Sequence, residues 1–289
     1  MNSKPLFSVI VPTYHRNELL AKCLDCLSPD KQILPIDQYE VIVTDDGSQT
    51  TAAAMIQECY PWAKWVAGLG KGPAANRNNG VKYAQGEWLA FTDDDCLPDP
   101  QWLTAYAQAI VVESPCLVFE GRVYVDRPRR SLAETAPTNE SGGYLWSCNF
   151  AIQRQLFEFL GGFDERFPYA AMEDVELRLR ITKLRQSFAF VELASVCHPW
   201  RAKDSWKQLK QHQQSTWIYL SIHPEELSNI NSLYYLKLFL YSLLKSTIPG
   251  LLKFNWKGIQ YNLLEHISFL QMTLFLSLYS LKQYQKCKP

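Results

Sequence analysis

Short apolar runs rich in valine and isoleucine alternate with longer segments in which apolar residues recur at helical spacing. The short runs predict strands, and the segments between them predict amphipathic helices. The predicted strands are residues 7–11, 40–44, 63–66 and 88–92. The predicted helices between them are residues 18–27, 51–59 and 74–84. Because strands separated by helices form βαβ units, this part of the chain predicts an α/β fold with a mostly parallel central sheet flanked by helices.

The pattern is less regular in the middle of the chain. It predicts further helices at residues 101–113, 153–160 and 171–183 and further strands at residues 117–125, 148–152 and 188–196. Gly161 and Gly162 stand where a helix commonly ends in a left-handed turn. Residues 126–143 are rich in Pro, Arg, Ser, Thr and Gly. This composition predicts a long, mobile loop, and loops of that length often have a function.

The last part of the chain is apolar but is interrupted by charged residues. Residues 234–252 are broken by two lysines and a Pro-Gly pair, and residues 263–281 contain Glu265 and His266. Because ionisable groups are rare inside membrane spans, two amphipathic helices on a membrane surface or on a partner are a better interpretation than a bilayer span. A helical pair packed on the core or on a second copy of the chain is the alternative.

The charge is divided unevenly, although the chain is neutral overall. Residues 231–289 carry seven lysines and one acidic residue, whereas residues 1–230 have a net charge of −6. We therefore expect a domain over residues 1–225 and a basic, apolar helical extension over residues 226–289. The acidic part has no basic stripe, which argues against nucleic acid as a partner.

The eight cysteines are scattered along the chain. The only close pair, Cys23 and Cys26, lies in a predicted helix, and no second pair completes a zinc site. Residues 1–5 lack the apolar core of a signal peptide. Free thiols and this N-terminus predict a cytoplasmic protein, peripheral on the inner face of the membrane if the extension binds lipid.

Three consecutive aspartates, Asp93, Asp94 and Asp95, directly follow the apolar run 88–92. A strand that ends in carboxylates delivers them to the sheet edge where ligands of open α/β sheets bind. Clustered carboxylates repel one another unless a cation is bound, and carboxylate oxygens suit Mg²⁺ or Mn²⁺. A solvated acidic turn is the alternative interpretation of the same residues.

Taken together, the motifs resemble family 2 inverting glycosyltransferases, which have the GT-A fold. The resemblance covers about residues 6–200, and the extension lies outside it. It rests on an ordered set of segments, each weak alone. These segments are residues 9–14 (VIVPTY), 43–48 (VTDDGS), 72–80 (GPAANRNNG), 91–95 (FTDDD), 161–167 (GGFDERF) and 173–179 (EDVELRL).

The resemblance implies a binding site for the nucleotide of a nucleotide-diphosphate sugar. The residues it assigns to that site are Pro12, Thr13, Tyr14, Asp45, Asp46, Arg77, Asn78 and Asp93. For Asp45 and Asp46, which would hold the nucleobase, a strand-to-helix turn with a capping residue is the alternative. For Arg77, phosphate binding and a structural ion pair with Asp45 or Asp46 are both open.

The resemblance also implies a divalent metal, Mn²⁺ or Mg²⁺, bound by Asp95 and Asp93, while Asp94 faces solvent. His198 would be a further metal ligand, with a structural histidine as the alternative.

In the same way, the resemblance implies that Asp174 is the general base and that Glu173 orients it or the acceptor. Acidic groups in a first helical turn also stabilise the helix dipole, which is the simpler interpretation. Trp146, Trp200 and Arg201 are candidates for a sugar-binding platform, although tryptophans more often belong to cores and interfaces.

The expected function is therefore metal-dependent inverting transfer of a sugar to a hydroxyl of a glycan or lipid-linked saccharide. A sugar-1-phosphate nucleotidyltransferase is one alternative. It would need a Gly-rich loop bearing Arg or Lys after the first strand, where this chain has Pro-Thr-Tyr-His-Arg. A non-catalytic binding subunit with the same fold is the other alternative.

Overall fold

The computed structural model describes residues 4–286, with side chains described up to residue 280. Cys287 lies outside this range. So do residues 1–3, which belong to the N-terminal segment predicted to lack a signal peptide. The strands are β1 (Phe7–Thr13), β2 (Tyr39–Asp45), β3 (Ala63–Ala67), β4 (Trp88–Thr92), β5 (Leu97–Pro98), β6 (Val118–Tyr124), β7 (Glu134–Thr135), β8 (Asn149–Gln153), β9 (Ala189–Cys197) and β10 (Arg201–Ala202).

The helices agree closely with the sequence pattern in the first two thirds of the chain. They are α1 (Asn17–Leu27), α2 (Ala53–Cys59), α3 (Pro73–Val81), α4 (Trp102–Val112), α5 (Arg154–Phe159), α6 (Glu173–Lys183), α7 (Trp206–Ile222), α8 (Ser232–Tyr241), α9 (Ile248–Phe254) and α10 (Ile259–Lys286). A π-helical turn, Ser242–Thr247, joins α8 to α9. The pattern did not predict α7.

An eight-stranded sheet has the order β3-β2-β1-β4-β8-β6-β9-β5. Strands β3, β2, β1 and β4 are parallel neighbours, and β6 is parallel to β9. Strand β8 runs antiparallel to both β4 and β6, and β5 runs antiparallel to β9. The prediction of a mostly parallel sheet flanked by helices is confirmed.

Helices cover both faces of the parallel part because its central strands are apolar on both sides. On one face Val9 and Val11 pack with Leu20 and Leu24 of helix α1. On the other face Ile10 packs in a second cluster. That cluster includes Phe91 and Phe150, whose rings stack with centroids 4.7 Å apart. The two buried layers hold the sheet edge in place.

The chain divides into two units. Unit 1 consists of Met1–Asp126 and Pro137–Pro199, and it contains the eight-stranded sheet. Unit 2 consists of Arg127–Ala136 and Trp200–Pro289. The domain boundary predicted between residues 225 and 226 stays a prediction.

Unit 2 contains a two-stranded ladder of β7 and β10 together with helices α7 to α10. Part of the segment predicted as a long loop, residues 126–143, forms strand β7 of this ladder. The helical extension predicted from the apolar pattern is present. Among the described residues, no helix combines the length and the apolar character that crossing a membrane requires.

Candidate active site

The carboxyl ends of three parallel strands meet at one edge of the sheet. Strands β1 and β2 are in register so that Thr13 stands opposite Asp45. Strand β4 pairs with β1 on its other side and ends at Thr92, directly before the three aspartates. Ligands of open α/β sheets bind outside this edge. The polar residues predicted from the strand ends are therefore gathered in one region.

Arg77 links this edge to a second acidic group. It lies on helix α3, is 2% exposed, and donates through Nη2 to Asp93 Oδ1 at 2.7 Å and through Nη1 to Glu173 Oε1 at 3.1 Å. Burial opposes its charged form, but Asp93 and Glu173 together raise the pKa of Arg77. The structural ion pair expected of Arg77 thus exists, but its partners are not Asp45 or Asp46. Helix α3 packs on β1 and β2, and its Arg77 side chain reaches the residue that follows β4.

Glu173 and Asp174 begin helix α6. Glu173 is buried, and its Oε2 has no hydrogen-bond partner among the described residues. Burial and the Asp174 carboxylate raise the pKa of Glu173 to about 7, against the opposing effect of Arg77. Burial also raises the pKa of Asp174, although the backbone N–H groups of Val175 and Ser147 donate to it. Carboxyl groups with raised pKa values are suited to accept a proton.

Asp94 is fully buried, so the expectation that it faces solvent is wrong. It accepts a hydrogen bond from Thr13 Oγ1 at 2.7 Å, and Arg16 Nη2 lies 2.7 Å from its Oδ1. Burial raises the pKa of Asp94 to about 7, although Arg16 and Thr13 both favour its charged form. Strand β1 and the turn after it cover Asp94. Arg16 was not among the predicted site residues, although its position three residues after Thr13 was an available signal.

Asp95 and His198 are brought together, as the metal prediction requires. Asp95 Oδ1 lies 3.6 Å from His198 Nε2, and Arg16 Nη1 donates to Asp95 Oδ2 at 3.0 Å. Three possible ligand atoms, one each from Asp95, Cys96 and His198, lie within 4.8 Å of one another. A hydrogen bond with Cys148 and burial raise the pKa of the Cys96 thiol well above its usual value. A thiol suits softer metals, so Cys96 is a poor ligand for a hard cation.

A carboxylate oxygen and an imidazole nitrogen at this separation fit Mn²⁺ or Mg²⁺, with water and phosphate completing the shell. Among the described residues, Asp93 is not part of this cluster. Its Oδ1 instead accepts a hydrogen bond from Arg77. Its predicted role as a metal ligand stays a prediction. The carboxylate partner of His198 is Asp95, and the Nδ1 atom of His198 lies 3.0 Å from the carbonyl oxygen of Pro199.

Asp45 and Asp46 organise the backbone around the predicted nucleobase site. Asp45 accepts from the N–H groups of Gly47 and Ala52 at 2.8 and 2.7 Å, and from the indole of Trp65 at 3.2 Å. These contacts match the alternative interpretation, a strand-to-helix turn closed by an aspartate. A role in binding the base stays a prediction.

Asp46 holds the Gly-rich loop that precedes α3. It accepts from the N–H groups of Gly70 and Gly72 at 3.0 and 3.1 Å. Gly72 has φ +96°, and a side chain there would meet the carbonyl of Pro168, so only glycine fits. Asp46 and Gly72 together fix the start of the helix that carries Arg77.

The remaining predicted nucleotide-binding residues take different positions. Pro12 is buried in strand β1, whereas Tyr14 is exposed in the turn after it. Asn78 Nδ2 donates to the carbonyl of Phe163 at 2.8 Å, and Asn78 Oδ1 accepts from Phe163 N–H at 2.9 Å. Asn78 therefore ties α3 to the turn after the glycine pair. No contact of these three residues identifies a ligand, and their roles stay predictions.

An aromatic pair lies in the loop that leads to strand β8. The rings of Tyr144 and Trp146 have centroids 4.7 Å apart. The next residue, Ser147, donates its backbone N–H to Asp174 Oδ2 at 3.4 Å. Of the three candidates for a sugar platform, Trp146 is therefore adjacent in sequence to a residue that contacts the acidic pair. Trp200 belongs to unit 2, where its indole donates to the carbonyl of Arg127 at 2.7 Å.

Glu120 fixes the shape of this loop. It is buried in strand β6 and accepts hydrogen bonds from four donors. The donors are the side chain of Asn139 and the backbone N–H groups of Gly143, Tyr144 and Leu145. Glu120 was not among the predicted site residues, although an acidic residue inside an apolar strand was a usable signal.

The family model described as "Glycosyl transferase family 2" matches residues 8–163. The chain is 29% identical to validoxylamine A glucosyltransferase from Streptomyces hygroscopicus subsp. jinggangensis in an alignment of length 218 that covers 61% of this chain and 51% of that protein. It is 32% identical to chondroitin synthase from Escherichia coli in an alignment of length 237 that covers 66% of this chain and 34% of that protein. The chain therefore spans about half, or less, of the length of these relatives.

Solved structures with the same fold are also found. The mannosyltransferase PcManGT from Pyrobaculum calidifontis, in complex with GDP-Man and Mn²⁺, has a TM-score of 0.56 and 19% identity, covering 99% of this chain and 89% of that one. Residues 1–349 of TarS from S. aureus, in complex with UDP-GlcNAc, have a TM-score of 0.55 and 20% identity, covering 92% and 90%. These similarities confirm the GT-A fold.

Proposed function

We propose a specific activity for this chain, which belongs to glycosyl transferase family 2 and is a glycosyltransferase. It moves a sugar from a nucleotide-diphosphate sugar to a hydroxyl of a glycan or lipid-linked saccharide, with inversion at the anomeric carbon. The observation that carries the proposal is the position of Arg77 between Asp93 and Glu173. This arrangement links a residue assigned to the donor, Asp93, with the pair assigned to proton transfer.

Asp174 is the general base in this proposal, and Glu173 is a positioning residue. Asp174 is half-buried and reachable by a substrate, whereas Glu173 is 2% exposed and held by Arg77. Asp174 takes the proton of the acceptor hydroxyl while that oxygen attacks the anomeric carbon. The bond from the anomeric carbon to the phosphate oxygen breaks on the opposite side, and the nucleoside diphosphate leaves with the bonding electrons. One displacement of this kind inverts the configuration.

Asp95 and His198 would hold a divalent cation, with Asp93 as the further ligand that the resemblance implies. When bound, such a cation neutralises negative charge on the diphosphate leaving group. Arg16 adds a fixed positive charge at the same place, because its guanidinium contacts Asp94 and Asp95 and is partly exposed. Arg77 keeps Asp93 ionised and oriented. The chain's own cations thus counter the repulsion among the three aspartates.

The donor class is supported by the structures that share the fold, which hold UDP-GlcNAc in one case and GDP-Man with Mn²⁺ in another. The sites assigned to the nucleotide are the ends of β1 and β2 and the start of α3. For the acceptor, Tyr144 and Trp146 offer aromatic surface on which a sugar ring can pack. Contact of the C-terminal extension with a membrane surface, or with a second copy of the chain, completes the proposal; nucleic acid is not a partner.

The two alternative functions have less support. A sugar-1-phosphate nucleotidyltransferase would need a Gly-rich loop bearing Arg or Lys after β1, and the residues that follow β1 here, Tyr14, His15 and Arg16, include no glycine. A non-catalytic subunit would have no use for a carboxyl pair with raised pKa values at the start of α6.

A thermal-shift panel tests the proposal. Nucleoside diphosphates and nucleotide sugars are added with Mn²⁺, and selective binding raises the melting temperature by mass action. A donor identified in this way should release free sugar and nucleoside diphosphate slowly when no acceptor is present. A chain that binds no nucleotide sugar, or that forms one from a sugar 1-phosphate and a nucleoside triphosphate, would contradict the proposal.

A further inference from the structure

Helices α8 and α9, with the π-helical turn between them, expose large apolar side chains at four-residue spacing. This apolar row, whose members are between 36 and 85% exposed, consists of Leu236, Leu240, Leu244, Ile248, Leu252 and Trp256. The first five lie on α8, the π-helical turn and α9, and Trp256 follows the end of α9. In a regular α-helix each four-residue step advances the row by about 40° around the axis, and the wider π-helical turn reduces that drift. The first five members therefore stay close to one side of the segment, and all six are exposed to solvent.

Four exposed lysines accompany the apolar row. Each directly follows a member of the row in sequence, and they are Lys237, Lys245, Lys253 and Lys257. Residues 231–264 contain no acidic residue. The first acidic residue after them, Glu265, accepts from Lys203 Nζ at 2.6 Å. The segment thus combines exposed apolar side chains with positive charge and has no acidic residue of its own.

The opposite side of the same segment is fixed against helix α10. Tyr235 and Phe269 have ring centroids 6.4 Å apart, and Phe239 meets His266 edge-on at 5.2 Å. His266 Nε2 also lies 3.2 Å from Thr247 Oγ1 in a buried polar contact. Rotating the segment to bury the apolar row would break these contacts. The apolar row consequently stays exposed to solvent.

We propose that the apolar row and its four lysines form a docking surface for an anionic lipid bilayer. Leucine and tryptophan side chains enter the boundary between headgroups and acyl chains, while lysines bind the acidic headgroups. The segment lies in the plane of the interface. This proposal does not depend on catalysis, although it suits an enzyme with a lipid-linked acceptor.

Charge favours a bilayer over a second copy of the chain. In a two-fold dimer through this face, the same patch would meet itself. The lysines of one copy would then approach the lysines of the other with no acidic residue of the segment between them, and such like-charge contacts are unfavourable. An acidic lipid surface has the opposite charge and no fixed shape to match.

Vesicle flotation of the full chain tests the proposal. The wild type should bind phosphatidylcholine vesicles that contain about one third phosphatidylglycerol, and should bind pure phosphatidylcholine at least about tenfold more weakly. Raising NaCl from about 0.1 M to about 1 M should weaken binding, because the Debye length falls from about 10 to about 3 Å. Replacing Leu244→Gln, Leu252→Gln and Trp256→Gln together should lower the affinity about 100-fold or more.

A matched control replaces Val111→Gln and Val112→Gln, two equally exposed apolar residues of α4 in unit 1, and should bind vesicles as the wild type does. The Gln variant of the apolar row should keep the wild-type melting temperature and donor hydrolysis without vesicles, which separates this proposal from that of catalysis. No binding of the wild type to anionic vesicles would overturn the proposal. So would a wild-type dimer that the same three substitutions dissociate.

Discussion

Arg77 Nη2 lies 2.7 Å from Asp93 Oδ1, so a buried cation of helix α3 neutralises a carboxylate that follows strand β4. The same guanidinium reaches Glu173 on α6 at 3.1 Å. Removing the charge by Arg77→Met leaves two carboxylates without their cation. We expect a loss of about 3–5 kcal/mol in the free energy of unfolding, measured by urea denaturation. The control Arg166→Met, in an exposed pair with Asp164, should cost less than about 1 kcal/mol. Equal losses in both variants would contradict this account of Arg77.

The raised pKa of Glu173 predicts that the free energy of unfolding depends on pH. Its pKa in the folded chain is raised from 4.5 to about 7, chiefly by burial and by Asp174. Between these two values the folded chain holds a proton that the unfolded chain has released, so the free energy of unfolding falls as pH rises from about 4.5 to about 7. Urea denaturation across this range measures the slope. Glu173→Gln should reduce the slope, and the part that remains belongs to Asp94 and Asp174, whose pKa values burial also raises. An unchanged slope in this variant would exclude Glu173 as a source.

Because Asp95 and His198 are the proposed metal ligands, we expect substitution of either residue to weaken metal binding. Asp95→Ala and His198→Ala should each weaken Mn²⁺ binding in the presence of a nucleoside diphosphate by about 100-fold or more, measured by titration calorimetry. Cys96→Ser is the matched control from the same cluster. It should bind Mn²⁺ like the wild type, because a soft thiol is a poor ligand for a hard cation. Loss of binding in Cys96→Ser, with binding retained in Asp95→Ala, would reverse these roles.

The hydrogen bonds that Glu120 accepts predict that this carboxylate keeps the loop before β8 in a fixed conformation. Glu120→Ala removes the acceptor of three backbone N–H groups and of Asn139, so we expect a loss of about 3 kcal/mol or more in the free energy of unfolding. Amide hydrogen exchange at residues 143–145 should quicken at the same time. Glu140→Ala, at an exposed ion pair with Arg122, should change neither quantity appreciably. Unchanged exchange at residues 143–145 in Glu120→Ala would show that other contacts hold the loop.

The sequence predicted most of the sheet because its strands are locally apolar. Strand β4 has the predicted bounds, residues 88–92, since both faces of the sheet are buried there and the run is uninterrupted. Helix α7 was missed because its first half is rich in glutamine and lysine and lacks an apolar period. The helical extension was predicted from its apolar composition. The exposure of the apolar row on one side could not be predicted, because it depends on how α8 packs on α10.

The site was predictable as a set of positions but not as a set of contacts. The acidic residues at the ends of β2 and β4 follow from the strand pattern. The partners of Arg77 and the burial of Asp94 do not, because Thr13 lies 81 residues from Asp94 and Arg77 lies 96 residues from Glu173. Such pairings depend on how distant elements pack, which local patterns do not contain.

The substitution Asp174→Asn tests the central claim most directly. It keeps the size of the side chain and removes its ability to take the acceptor proton, so transfer should fall by a factor of about 10² to 10⁴ or more. Nucleoside diphosphate affinity with Mn²⁺, measured by calorimetry on the same sample, should stay within about threefold of the wild type. Asp37→Asn, an exposed aspartate of unit 1, serves as the control. Wild-type turnover by Asp174→Asn with the identified donor would contradict the assignment of this carboxylate as the general base.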